Sequence, residues 1–421
     1  MKVALVASSF LPEPGRLERR VDQLARGLAQ RGAQVEVLTQ GPWQSSVERT
    51  ADGVTIRRFP ALVGRLRLPV APRLRERLRL TARTFDVVDV HTRHPSLAMA
   101  IAGTRPKRLV LTPQAPIEAF VGWPQFRATR AIFAGANRII CSSEIERDLL
   151  CRAIPGAGAR TEVVSHGVDA PALIAAEPFA TAGGVVLAVD RLDRGTGVAR
   201  AIAALPSLDA DFRLVVVGDG PARERLSTFA ADLRTASRVQ FVGAVSDAVL
   251  YRWLRTASVV VTLPSERTSG SLLTEALAAG VPVVASDLPT HRRIAERLAG
   301  GYVIFVSPRG SPLDVAEAIE DAVRSPVGTH VGLAGHSAPS WESVVNSMWQ
   351  LYQGLAEASF DFEREAAGDG APGLATQPSD RERTPAAPLR FVGARADGSE
   401  GHGGSGATER GFSLRINGAG R

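Results

Sequence analysis

The 421-residue chain is 45% hydrophobic, enough for two ordinary domains, each with its own core. It carries 50 basic against 43 acidic residues, but the excess concentrates in one arginine-rich stretch without the aromatic interleaving of a nucleic-acid surface, so no nucleic-acid partner is expected. Two cysteines, Cys141 and Cys151, lack metal-ligand spacing and are too few for a disulfide framework, which fits a reduced, cytoplasmic compartment, and no run approaches the roughly 18 apolar residues of a spanning helix.

The start "MKVALVASSF" places Lys2 before an apolar run, but the run is short and breaks into "LPEPGR", which suits a buried strand feeding a loop better than an export signal. An amphipathic helix follows in "RLERRVDQLARGLAQRG", with Val21, Leu24, Ala25 and Leu28 on one face and Gly32 as its stop. "AQVEVLTQG" supplies the next strand, and "VTIRRF", "VVDVHT", "RLVLTP" and "RIICSS" continue the series. Between residues 57 and 83 lie Arg57, Arg58, Arg65, Arg67, Arg73, Arg75, Arg77, Arg79 and Arg83 against the single acid Glu76. This segment suits a solvated helix face, an anionic acceptor, or peripheral contact with the inner face of an anionic membrane.

Residues 169–184 read as a Pro/Gly-punctuated linker, after which "GVVLAVD", "RLVVVGDG", "VQFVGA", "SVVVTLP" and "VPVVASD" open a second strand–helix series. The alternation predicts an α/β protein: two Rossmann-like, doubly wound parallel-sheet domains, residues 1–168 and 185–340, facing a cleft. A last helix is expected over 341–357, with Trp341, Val345, Met348, Leu351 and Tyr352 near one face, and residues 358–421 have the composition of a disordered tail.

The stretch "LPSERTSGSLLTEALAAGVPVVASD", residues 263–287, runs from a strand end through a polar loop into a helix. Gly270 allows close backbone approach, and the N–H groups of Ser271, Leu272 and Leu273 would open the helix toward phosphates with a favourable dipole. Glu275, about one turn further in, can accept hydrogen bonds from both hydroxyls of a ribose.

In order and spacing, this segment together with "FLPEPGRLERRVDQLARGLAQRGAQVEVLT", "ANRIICSSEIERDLL", "VVSHGVD", "RLVVVGDGP" and "FVGAVSD" resembles the GT-B-type glycosyltransferases of family 4. The resemblance covers residues 1–357. It implies the GT-B fold, a final helix crossing back to the N-terminal domain, and transfer of a sugar with retention from a nucleotide-diphosphate-sugar donor to a glycan, glycolipid or small-molecule acceptor. No metal, cofactor or protein nucleophile is implied, and the leaving phosphate would help to deprotonate the acceptor. Arg191 matches the family's diphosphate-holding arginine, and Gly218 and Val242 fall in segments that surround the nucleobase. Gly15 and Arg16 fall in the loop facing donor and acceptor, while His91 and Gln114 would lie on the acceptor side.

The pattern is departed from at four places. Arg16 stands where a second glycine is usual, so its side chain either intrudes on the phosphate and acceptor space or binds an anion itself. Gln114 replaces a histidine; it can donate a hydrogen bond but cannot shuttle a proton. Thr196 replaces a diphosphate lysine, for which Arg194 is a substitute in a chain whose only lysines are Lys2 and Lys107. The acidic pair Glu-x7-Glu, counted back from Glu275, lands on Arg267, with the expected catalytic-side acid Glu266 one residue out of register. Two readings therefore stay open: a diverged transferase, or a homologue that binds a nucleotide sugar or acts as a scaffold with little turnover. Asp209-x-Asp211 enters a strand away from the carboxyl ends and is not expected to bind metal, and no Gly-x-Gly-x-x-Gly follows a strand, which argues against a nicotinamide or flavin enzyme.

Overall fold

The computed structural model describes residues 1–13, 15–41, 45–63, 69–93, 97, 101, 104, 106–114, 126–193, 196–265, 270–298, 302–324 and 338–368. The first sheet is built from β1 (Lys2–Ala7), β2 (Gln34–Gly41), β3 (Ser46–Arg49), β4 (Thr55–Pro60), β7 (Val87–Thr92), β8 (Leu109–Pro113), β9 (Arg138–Cys141) and β10 (Thr161–Val163), in the order β10-β9-β8-β7-β1-β2-β4-β3. A short antiparallel pair, β5 (Leu62–Val63) and β6 (Pro69–Val70), stands apart. The second sheet contains β11 (Val185–Val189), β12 (Arg213–Val217), β13 (Val239–Gly243), β14 (Val259–Thr262), β15 (Val283–Ser286) and β16 (Val303–Val306), in the order β13-β12-β11-β14-β15-β16. Every pairing in the two large sheets is parallel except β3 with β4.

Continuous apolar strands reflect burial on both faces. Val3, Leu5 and Ala7 of β1 join one core cluster while Ala4 and Val6 join another, and Val186 and Ala188 divide from Val185 and Leu187 of β11 in the same way. In each sheet the first strand has its successor on one side and a later strand on the other, so the chain reverses direction across the sheet at β1/β7 and at β11/β14. Loops leaving the carboxyl ends of strands at such reversals are where open α/β sheets hold ligands.

The helix Arg16–Gln30 buries Leu17, Val21, Leu24, Ala25 and Leu28, and Gly32 ends it with φ 86°. Helix Trp341–Gly368 lays Trp341, Val344, Val345, Met348, Leu351, Tyr352 and Leu355 into the same core as Val3, Leu5, Val21 and Leu28. Gly27 permits this approach, since a Cβ there would lie 2.6 Å from Val345 Cγ1. The helix runs past residue 357 to Gly368, where an aperiodic tail was expected; Glu, Arg and Ala in "FEREAAG" are good helix formers that need no apolar stripe. The linker also holds a short helix, Ala170–Ala175, started by Asp169 accepting from the Ala172 N–H at 3.1 Å.

Candidate active site

A cleft of about 1580 Å³ lies between the carboxyl ends of the two sheets. Arg93 after β7 and Gln114 after β8 line one wall, with Gly15, Arg16, Arg19 and Gln23 from the loop and helix after β1. The other wall takes Asp190 and Arg191 after β11, Gly218 after β12, Ala244 to Ala248 after β13, and Leu263 to Ser265 after β14. Gly218 has φ 126°, donates its N–H to Gly243 O at 2.8 Å, and would place a Cβ 1.9 Å from Asp190 O, so only glycine lets these strand ends converge.

Gly15, Arg16, Gln114, Arg191, Gly218 and Leu272 line the cleft, whereas five other expected residues do not. His91 is fully buried: it shares a face of β7 with Asp89, and its Nε2 lies 3.1 Å from Asp89 Oδ2. Val242 packs into the second domain's core, leaving Ala244 to Ala248 as the wall. Gly270, Ser271 and Glu275 are buried beneath other side chains. Arg194, Glu266 and Arg267 lie outside the described residues.

Gly270 adopts the left-handed conformation, φ 68°, directly before the helix Ser271–Ala278. That helix start does not open freely onto the cleft as expected. Arg16 Nη1 donates to Ser271 Oγ, and Arg19 bridges Glu275 Oε1 at 2.7 Å and Asp247 Oδ1 at 2.5 Å. Glu275 is only 5% exposed, and its Oε2 has no hydrogen-bond partner among the described residues. Burial works against the charge on Arg19, but Glu275 and Asp247 outweigh it and hold the guanidinium above its ordinary value. Arg16 is shifted the other way: burial lowers it, Arg19 adds to the effect, and Glu275 and Asp190 only partly compensate.

On the remaining walls, Thr196 donates to Asp190 Oδ2 at 2.8 Å, and Arg191, with its side chain 65% exposed, pairs with Asp193 at 3.0 Å. Gln114 is fixed at its backbone, where its N–H donates to Thr92 O at 2.8 Å. Desolvation and the nearby Arg20, Arg16 and Arg19 hold His166, which lines the cleft, well below its ordinary value and therefore neutral. Among the described residues no three His, Cys, Asp or Glu side chains gather as a metal site. Arg19, Asp247 and His166 were missed from sequence. Arg16, Arg19 and Gln23 recur at i, i+3 and i+7, a polar stripe on an otherwise core-packed helix, and that periodicity was the available signal for Arg19.

The family model described as Glycosyltransferase Family 4 matches residues 17–170, and Glycosyl transferases group 1 matches residues 169–330, so one meets the other between the two sheets. The chain belongs to the family 4 glycosyltransferases of the GT-B fold. A phosphatidyl-myo-inositol mannosyltransferase of Mycobacterium leprae is 28% identical over 85% of this glycosyltransferase and 97% of its own length. A GDP-mannose-dependent alpha-mannosyltransferase of Mycobacterium tuberculosis is 25% identical over 80% and 93%. Among solved structures, sucrose-phosphate synthase from Thermosynechococcus elongatus superposes with a TM-score of 0.68 at 21% identity, covering 85% of this chain and 99% of that one. HepE from Anabaena, in complex with UDP-glucose, gives 0.65 at 19% identity over 86% and 100%. Family membership makes the protein a transferase enzyme independently of the covered helix start.

Proposed function

We propose that this glycosyltransferase moves a sugar from a nucleoside-diphosphate sugar to a hydroxyl of a lipid-linked or glycan acceptor, with retention of configuration. The observation that carries the reading is the cleft itself, which sets Arg191 and Leu272, the second residue of helix Ser271–Ala278, across from Gln114 and the loop after β1. Its volume exceeds that of a pocket for one drug-sized ligand, which suits a donor and part of an acceptor together. A UDP-glucose complex in a structural neighbour supports a nucleotide-sugar donor, and the inositol-lipid relative supports a lipid-linked acceptor.

In this reaction the bond from the anomeric carbon to the phosphate oxygen breaks as the acceptor oxygen attacks from the same face, and the acceptor proton passes to the departing phosphate. Arg191 and the N–H groups at the helix start stabilise the charge gained by the leaving diphosphate. Glu275 receives the ribose hydroxyls once Arg19 releases it. Gln114 orients the acceptor by hydrogen bonding and takes no proton.

The covering of Ser271 and Glu275 by arginines favours one other reading, a nucleotide-sugar-binding homologue with little turnover. Incubating the purified chain with UDP- and GDP-sugars and vesicles of phosphatidylinositol or other lipid acceptors separates the two. Acceptor-dependent release of nucleoside diphosphate is expected. Saturable donor binding with no release across the panel would establish the second reading.

A further inference from the structure

Resting on the nucleotide-sugar reading above, we propose that Arg16 is a diphosphate-binding residue, contributed to the donor from the N-terminal side of the cleft. Its guanidinium donates to Ser271 Oγ, at the first residue of a helix whose N-terminus carries partial positive charge. A guanidinium cation held against the partial positive charge of a helix start in a packed site is unfavourable, and an anion between them removes the conflict while giving both a preferred partner.

The carboxylates that act on Arg16 are Glu275 and Asp190, and both have other partners: Glu275 Oε1 is taken by Arg19, and Asp190 Oδ2 accepts from Thr196 Oγ1 at 2.8 Å. Desolvation weakens the hold of Arg16 on its proton, as expected for a cation whose neighbours leave it under-compensated. Glu275 Oε2, in a residue 5% exposed and one turn from Ser271, has no partner among the described residues, a second sign that this corner is built for a ligand bearing hydroxyl donors.

The loop beneath Arg16 is anchored. Glu18, 1% exposed, accepts from Ser9 Oγ and from Arg93 Nη2, and a Cβ at Gly15 would meet Glu18 Oε2 at 2.2 Å. A pinned backbone leaves the Arg16 side chain as the part that turns from Ser271 onto a phosphate. On the facing wall, Thr196 supplies no charge, and Arg191 is largely solvated and paired with Asp193. Arg16 therefore adds positive charge where Thr196 brings none and Arg191 is shared with Asp193, and its planar fork can hold two phosphate oxygens at once.

Calorimetry with UDP, GDP, UMP and GMP on the full chain tests the assignment in wild type and in Arg16→Ala, Arg16→Gly and Arg16→Lys. The wild type is expected to prefer the diphosphate, and Arg16→Ala and Arg16→Gly should lose at least tenfold of that preference with an unchanged melting temperature. Arg16→Lys, which keeps the charge without the fork, should lose about threefold, and it supplies the readout should the smaller side chains disturb folding. An unchanged diphosphate-to-monophosphate ratio, or tighter diphosphate binding without Arg16, would overturn the assignment and leave the donor reading standing. Wild type that binds none of the four nucleotides would overturn both.

Discussion

Glu275 shows how far a residue's role can be read before its neighbours are known. Its place one turn after a loop glycine was legible, because a strand end, a polar loop, Gly270 and an apolar helix follow one another in the chain. Its pairing with Arg19 was not, since the two residues are 256 positions apart and meet only because two sheets face each other. Replacing Glu275 with Ala removes an acceptor of ribose hydroxyls and also frees Arg19, which keeps Asp247 as a partner. Loss of hydrogen bonds to a charged group predicts that Glu275→Ala weakens nucleoside-diphosphate binding by about 1–3 kcal/mol in a calorimetric titration. Affinity that stays constant or improves would mean that Arg19, rather than a ribose, is the natural partner of this carboxylate.

At the scale of elements, the Val-rich strands and the amphipathic helix Arg16–Gln30 were read from periodicity alone. Within the two large sheets, the strands that escaped notice have physical reasons for doing so: β3 is exposed along all four residues, and β10 has only three. β16 follows the glycines of "AGGYVIFV" with a single short apolar run. The C-terminal helix is tied to the first sheet by a buried polar contact that no pattern announces. Tyr352 Oη donates to Asp89 Oδ2 at 2.5 Å, Thr112 Oγ1 donates to Asp89 Oδ1 at 2.8 Å, and all three residues are buried. Burial opposes ionisation of Asp89, but His91 and these hydrogen bonds outweigh it and hold the carboxyl below its usual range. A carboxyl lowered in the folded state contributes stability that is complete above its unfolded value of about 3.9 and is lost as pH falls further. Asp89→Asn should therefore lower stability at neutral pH by about 2 kcal/mol and flatten the fall between about pH 4 and 2, measured by denaturant unfolding across pH. Equal acid slopes in the two proteins would place the linkage elsewhere.

For the whole molecule, the arginine-rich segment is less uniform than its sequence suggests. Arg57 and Arg77 pair with Glu36, and Arg58 pairs with Glu48. Arg73, Arg75, Arg79 and Arg83 are exposed, on or beside helix Pro72–Thr81, together with Leu80 at 74% exposure. No helix among the described residues is long and apolar enough to cross a membrane. We propose that this basic surface attaches the chain peripherally to an anionic bilayer. At about 1 kcal/mol per basic residue near an anionic bilayer, it predicts co-sedimentation with phosphatidylserine vesicles at low ionic strength that is lost at about 0.5 M salt. Absence of binding at low salt, or binding indifferent to salt, would count against it. The central claim concerns the cleft between the sheets, and the position of a bound nucleoside diphosphate in crystals of the full chain tests it most directly. The account predicts phosphate density within hydrogen-bond reach of the Ser271 and Leu272 N–H groups, with Arg16 turned onto it and Arg19 withdrawn from Glu275. A nucleotide bound elsewhere, with the Arg16–Ser271 and Arg19–Glu275 contacts intact, would contradict it.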